Sequence, residues 1–157
     1  MSQGHRVYVR KKYIDIYREL RAQKSSSPRI FKDNKGLFVL ATTIGFKSGE
    51  QKSFQNKEQL MWSDALDDYQ QTVIKAIAIK STNENNLNIL NNPEEMYSIA
   101  ENYANKGMDI LIEEVFKDYI KENEDNTLTI AYNEKSQLQR QLAHFVDSLQ
   151  KENNPFN

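Results

Sequence analysis

The stretch from Arg6 to Phe46 constrains the fold more than any other part of the chain. Its first residues, Arg6 to Arg10, alternate charged or aromatic side chains with valines, which predicts a short β-strand with one polar and one apolar face. The apolar spacing then changes to that of two amphipathic helices, separated by a polar break around Pro28. A strand followed by two helices cannot bury itself alone, because the strand lacks a partner within the unit.

The two predicted helices each carry an apolar stripe. Residues at i, i+3, i+4 and i+7 are apolar in the first helix, and the second helix repeats that spacing. The stripes consist of Tyr13, Ile16, Tyr17 and Leu20, and of Leu37, Leu40, Ala41 and Ile44. Gly45 and Gly49 are predicted to end the second helix.

The remainder of the chain is predicted to be mainly helical. Helical spacing and capping signals predict helices over residues 72–80, 93–107, 108–121 and 135–151. Residues 81–92 are predicted to be a short helix or an ordered loop, and residues 126–132 a brief strand or a bridge. The predicted fold is therefore mainly α, with a short N-terminal strand followed by a bundle of about six to seven helices.

Charge is divided unequally along the chain. Residues 1–52 contain 12 Lys plus Arg against 4 Asp plus Glu, a net of +8, whereas residues 53–157 contain 9 against 18, a net of −9. We therefore predict a basic strand–helix–helix unit, 1–52, with an acidic helical region, 53–157, packed on it in one globular unit. Such asymmetry points to nucleic acid or an acidic partner at the basic end. Lysine-rich helices that only maintain solubility would give the same count.

Composition and motifs argue against several classes of protein. The sequence contains no Cys, which excludes disulfides, thiolate zinc sites and cysteine nucleophiles, and which fits a reducing compartment. Its longest apolar stretch, LFVLA, is too short for a signal peptide or a membrane span, so we expect a cytoplasmic protein. We find no phosphate-binding glycine loop, nucleophile elbow or zinc-binding helix motif. We expect no catalytic residues, no metal site and no cofactor.

One group of carboxylates has a spacing that a magnesium site could use. Asp64, Asp67 and Asp68 follow Trp62, and on a helix they would share one side, as in a metal-dependent nuclease. Acidic residues are also ordinary in the first turn of a helix, where they interact with the helix dipole. No nuclease-type lysine motif follows, so we favour the helix start.

The polar face of the N-terminal strand predicts a contact with nucleic acid. Two copies of the strand, paired antiparallel across a two-fold axis, would present Arg6, Tyr8 and Arg10 from each chain in a ribbon that fits the major groove. In this arrangement residues 6–46 resemble the ribbon–helix–helix DNA-binding family. The alternative is a strand that pairs within its own chain, for example with residues 127–132, beside a merely basic surface. The predicted nucleic-acid-binding residues are Arg6, Tyr8, Arg10, Lys11, Lys12, Arg29, Lys32 and Lys35.

A second resemblance covers most of residues 6–112. The segments RVYVRKKYIDIYREL, FKDNKGLFVLATTIGFKSG, Trp62-x-Asp64 and YANKGMDIL resemble the small accessory proteins encoded beside bacterial DNA phosphorothioation (dnd) systems. Those systems modify DNA with sulfur and restrict unmodified invaders, so the resemblance implies a role in antiphage defence or its regulation. We therefore expect a non-enzymatic, homodimeric, DNA-binding accessory component that also contacts other subunits of the defence system. The alternative is an adaptor that binds a larger effector subunit through its acidic helical part.

Overall fold

A computed structural model of the protein describes residues 4–21, 34–130 and 135–152. The predicted polar break around Pro28, with Arg29 and Lys32, lies outside the described residues. The strands are β1 (Arg6–Arg10), β2 (Lys57–Trp62), β3 (Ile120–Glu122) and β4 (Leu128–Ile130). The α-helices are α1 (Ile14–Arg21), α2 (Asn34–Ser48), α3 (Asp68–Ser81), α4 (Pro93–Leu111) and α5 (Lys135–Glu152). The prediction of a mainly α fold with a short N-terminal strand is confirmed, whereas the predicted number of helices exceeds the five α-helices in the described residues.

One long helix replaces the two that were predicted from Pro93 onward. α4 passes through Gly107, its predicted end, and stops at Leu111. A π-type turn and a 3-10 turn follow over residues 112–119, and β3 begins directly afterwards. The residues predicted as a separate helix, 108–121, are therefore helical as far as 119, but they continue from α4 and do not form a helix of their own. Within residues 81–92, predicted as a short helix or an ordered loop, the chain forms two short 3-10 helices, Asn83–Asn85 and Leu87–Asn91.

Gly45 and Gly107 lie at a close contact between α2 and α4 and do not end either helix. A Cβ atom on Gly107 would overlap the carbonyl oxygen of Ala41, and a Cβ atom on Gly45 would overlap that of Tyr103. Because glycine has no Cβ, the two helix backbones can approach each other here. α2 ends just before Gly49, which has a φ of +80°, so the prediction for this second glycine is confirmed.

The core surrounds the contact between α2 and α4. The predicted stripes of the first two helices point into this core, with only Leu40 partly exposed. From β1, Val7 and Val9 are 0% and 4% exposed. Burying a side chain of this size fully contributes roughly 1.5–3 kcal/mol, which holds β1 with its valines inward and its polar residues outward.

β1 finds its partner within the chain. It pairs antiparallel with β2, with Arg6 opposite Trp62 and Arg10 opposite Lys57. At the other edge of β1, the backbone N–H of Tyr8 donates a hydrogen bond of 3.0 Å to Oε2 of Glu101 in α4. The ribbon–helix–helix arrangement is not confirmed, because one edge of β1 holds β2 and a side chain covers the other. The homodimer prediction loses the unpartnered strand on which it depended.

Residues 128–130 form a strand, as one alternative for 126–132 predicted, but its partner is β3 and not β1. Ile120 lies opposite Ile130, and Glu122 lies opposite Leu128. Asn126, with a φ of +68°, provides the left-handed turn between the two strands. This small sheet packs beside α1 through buried Leu128 and Ile130.

The carboxylates after Trp62 do not converge on a common point. Oδ1 of Asp67 accepts a 2.8 Å hydrogen bond from the N–H of Gln70, and Oε1 of Gln70 accepts one of 3.0 Å from the N–H of Asp67. This capping box begins α3, so the favoured interpretation as a helix start is confirmed. Among the described residues, no cluster of His, Asp or Glu could hold a metal ion. In the same parts of the chain, no helix has the length and apolarity needed to cross a membrane.

Candidate nucleic-acid interface

The paired strands β1 and β2 form a two-stranded ribbon whose outer face is basic and aromatic. Residues directly opposite each other in an antiparallel pair share one face. The register therefore places β2 residues beside the three polar residues of β1. We call this outer surface the ribbon face; its residues are Arg6, Tyr8, Arg10, Lys57, Gln59 and Trp62.

The buried valines fix which side chains lie outward. Side chains alternate between faces, so a shift by one residue would turn Arg6, Tyr8 and Arg10 into the core. The register is irregular between Val7 and Tyr8, where β2 contributes one extra residue, Leu60. Leu60 is partly buried against the core, so the bulge also helps to anchor β2.

Each of the three cations on the ribbon face lies over an aromatic ring. The guanidinium carbon of Arg6 is 5.2 Å from the Trp62 ring centroid, and that of Arg10 is 5.7 Å from the Tyr13 ring. Nζ of Lys57 is 5.4 Å from the ring of Phe54. Exposed contacts of this type contribute about 0.5–1 kcal/mol each. Within the described residues none of the three cations forms an ion pair, so their charge remains available to an anion.

One carboxylate of α4, Asp109, helps to hold the loop that leads into β2. Asp109 of α4 accepts hydrogen bonds from the hydroxyl of Tyr13 and from Nζ of Lys52. The backbone of Lys52 also pairs with α4, donating to the carbonyl of Asn102 and accepting from Nδ2 of Asn105. Burial and the neighbouring Asp109 raise the pKa of the Tyr13 hydroxyl, which therefore stays protonated as a donor.

The other predicted binding residues are not all gathered on the ribbon face. Lys11 and Lys12 lie in the turn after β1 and line a cavity of about 330 Å³ that also contains Asp125. The hydroxyl and N–H of Thr127 donate to Asp125 and lower the pKa of its carboxyl, so an anionic group lies beside these lysines. Lys35 lies in the first turn of α2, on a different element.

A cleft separates the ribbon from α4, with a volume of about 460 Å³. We call it the ribbon cleft. It is lined by Gly4, His5, Arg6, Tyr8, Lys57, Trp62, Glu94, Tyr97, Ser98 and Glu101. The cleft shares four residues with the ribbon face, so the two surfaces are continuous. Apart from Arg6 and Tyr8, its residues were not among those predicted from the sequence.

Glu101 forms the floor of the ribbon cleft. Its side chain is only 6% exposed, and its Oε2 accepts the hydrogen bond from Tyr8. Burial raises the pKa of this carboxyl to about 7, although the Tyr8 N–H and the charge of Lys57 act in the opposite direction. A signal for this residue exists in the sequence: Glu101 follows Tyr97 by four positions, so it occupies the buried face of α4.

At the end of the cleft where β1 begins, His5 and Ser63 are joined by two hydrogen bonds. The N–H of His5 donates to Oγ of Ser63, and the N–H of Ser63 donates to the carbonyl of His5, both at 2.7 Å. The His5 ring stacks on Tyr97 with centroids 6.0 Å apart. Burial raises the pKa of Tyr97, so its hydroxyl is neutral in the folded chain. These contacts join the segment before β1 to Ser63 and to α4.

The fold and this surface together define a small, mainly helical protein that presents a basic and aromatic β-ribbon beside a cleft with a buried carboxyl. The chain belongs to the family of DNA sulphur modification system-associated protein 4, which it matches over residues 6–150. The match includes β1, β2 and α4, and it confirms the resemblance to dnd accessory proteins. In the corresponding comparisons, no curated protein and no solved structure matched the chain.

Proposed function

We propose that this chain is a DNA-binding component of a DNA sulphur modification system, acting by binding and not by catalysis, and that the ribbon face is its contact surface. The observation that carries this proposal is a set of three cations that form no ion pair within the described parts of the chain, interleaved with Tyr8 and Trp62 on one outward face. The family's association with a system that modifies DNA supports the choice of ligand. In such a system, DNA binding would serve modification or restriction of DNA.

The form of the ribbon and the spacing of its cations support contact with DNA. A two-stranded β-ribbon fits the major groove, and this one is built within a single chain. Arg6 and Arg10 are four residues apart on one strand, or roughly 13 Å along it. Cations at such spacing can reach separate phosphates, which position a protein on DNA, while Tyr8 and Gln59 between them can approach base edges.

The proposal is tested by the salt dependence of DNA binding. Each phosphate contact contributes about −0.9 to the slope of log K against log salt. We expect Arg10→Ala combined with Lys57→Ala to weaken duplex binding about tenfold or more at low salt and to reduce the slope by about 2. The measurement is fluorescence anisotropy with a labelled duplex at several salt concentrations.

A matched control removes the same charge elsewhere. Lys75 and Lys80 are exposed on α3, away from the ribbon. The Lys75→Ala, Lys80→Ala variant should bind almost as the wild type does. If the ribbon variant and this control bind DNA equally, the ribbon face is not the contact surface.

A second candidate function is that of an adaptor, and one groove favours it. A cavity of about 580 Å³ lies between α5 and residues 112–119, and its lining includes exposed Glu113, Glu114 and Asp118 beside Lys117 and Arg140. The three carboxylates would pair with basic side chains of another subunit of the same system. Glu113→Lys with Glu114→Lys should abolish co-purification with that subunit and leave DNA binding intact. Unchanged co-purification would remove this candidate.

A further inference from the structure

The ribbon cleft contains a hydrogen-bond acceptor that the protein itself leaves unused. Oε2 of Glu101 accepts the N–H of Tyr8, whereas Oε1 has no partner among the described residues. Glu101 is 6% exposed, so Oε1 meets only a little solvent at the cleft surface, and a ligand that supplies N–H donors can replace that water. Lys57 and Arg6 line the same cleft and offset the negative charge of a bound carboxylate.

The cleft also contains a surface for stacking. The Arg6 guanidinium lies over the Trp62 ring, and both residues line the cleft. Nucleobases stack on aromatic side chains and on guanidinium planes alike. The cleft volume of about 460 Å³ lies within the usual range for sites of small organic ligands. A planar group with hydrogen-bond donors on its edge is therefore the ligand that these walls fit.

We propose that the ribbon cleft binds one unpaired guanine base of single-stranded DNA, with Glu101 accepting its N1–H and amino donors and with the Arg6 guanidinium, which itself lies over Trp62, stacking on its ring. This inference rests on the proposed DNA-binding function and names the part of DNA that the cleft takes. Phosphates on either side of the base would lie against Arg10 and Lys57 of the ribbon face.

Guanine fits Glu101 better than the other bases do. Its Watson–Crick edge presents adjacent N–H donors, which match a carboxylate acceptor. Thymine presents a single N–H between two carbonyl oxygens, and these repel a carboxylate. In a duplex the guanine donors are already paired, so the base must be unpaired or turned out of the stack before it enters. Glu101 then determines base preference, while the ribbon cations determine total affinity.

Trp62 provides a direct measurement of this site, because it is the sole tryptophan of the sequence. The protein is titrated with an oligothymidylate that carries one central guanine, and with the all-thymine strand of equal length. We expect quenching of Trp62 fluorescence by the guanine strand and an affinity about tenfold higher than for the thymine strand. A strand with inosine in place of guanine lacks the amino donor and should lose most of that preference.

Two variants separate Glu101 from the general negative charge of the protein. Glu101→Gln keeps an acceptor for Tyr8 but brings an amide donor toward the base, so the guanine preference should fall to about onefold. Glu122→Gln removes an exposed carboxylate of β3, outside the cleft, and should leave the preference unchanged. The inosine comparison uses the wild-type chain, so it tests the site even if the Glu101 variant folds poorly.

The possible failures are distinguishable. Equal affinities of the wild-type chain for the guanine and thymine strands would overturn the guanine site and leave the phosphate contacts of the ribbon standing. Salt-sensitive binding with a guanine preference that survives Glu101→Gln would also overturn it. Absence of binding to either strand and to duplex DNA would overturn both this inference and the proposed function.

Discussion

Replacing Glu101 with Gln should stabilise the protein at neutral and alkaline pH and have little effect in acid. The carboxyl has a pKa of about 7 in the folded chain, against 4.5 as its ordinary value. The folded state therefore holds this proton more tightly than the unfolded state does. The contribution that the protonated carboxyl makes to the free energy of unfolding is fully present below pH 4.5. It is lost as the pH rises through 7.

The size of the effect follows from the two pKa values. A change from 4.5 to about 7 corresponds to about 3 kcal/mol between the protonated and ionised forms. Between pH 5 and pH 8, roughly 2–3 kcal/mol of this difference should develop. Gln has the same shape, stays neutral at every pH and can still accept the N–H of Tyr8. The stability of the variant relative to the wild type should therefore rise with pH by that amount.

Urea unfolding at several pH values measures this difference directly. The free energies of unfolding of the two proteins are compared where both have the same slope of free energy against urea concentration. A difference between the midpoints then reports a difference in stability alone. The other titratable groups of the cleft, including His5 and Lys57, are present in both proteins and largely cancel. Glu94→Gln, at an exposed position on the same cleft, is the matched control and should give only a small, nearly constant difference. If wild type and Glu101→Gln give parallel curves from pH 5 to pH 8, the carboxyl is solvated and the described floor of the cleft is wrong.

Three further substitutions test the packing that positions the site. Gly107→Ala should destabilise the protein by about 1–3 kcal/mol in urea unfolding, because the new Cβ meets the backbone of α2; an unchanged midpoint would contradict the close helix contact. Asp67→Ala should cost about 1 kcal/mol through loss of the α3 cap, with Asp68→Ala, one residue further on, as the milder control. Val7→Ala should cost about 2 kcal/mol and weaken DNA binding as the ribbon loosens, and normal binding would show that β1 is held without its valine.

The sequence predicted those strands and helices in which the spacing of apolar residues alone determines the buried face. The alternation from Arg6 to Arg10 and the stripe that includes Tyr13 and Leu20 each place apolar residues on one face, and those faces are buried. The strand's partner could not be predicted in the same way. In β2, three consecutive apolar residues, Leu60 to Trp62, interrupt the alternation of polar and apolar side chains that would indicate a strand. The extra residue lies where the register is irregular, opposite Val7 and Tyr8. Pairing between distant segments is decided by tertiary packing, which a short pattern does not record.

Glycine signals were ambiguous for a related reason. Gly49 ends α2 because its backbone is left-handed, whereas Gly45 and Gly107 are glycines because a second helix lies against them. A residue without a Cβ satisfies either requirement equally well. The choice between the two depends on the neighbouring helix, so the sequence around each glycine could not have decided it.

The division of charge along the sequence located the basic surface only in part. Arg6 and Arg10 come from the basic residues 1–52, but Lys57 of the ribbon face and Glu101 of the cleft come from the acidic residues 53–157. Lys52, which counts toward the basic segment, is paired with Asp109. An anion approaching the protein meets the charges that share a surface, whatever their order in the chain. The ribbon can therefore be cationic in a protein of net charge −1, and a buried carboxyl can lie beside it without neutralising its outward face.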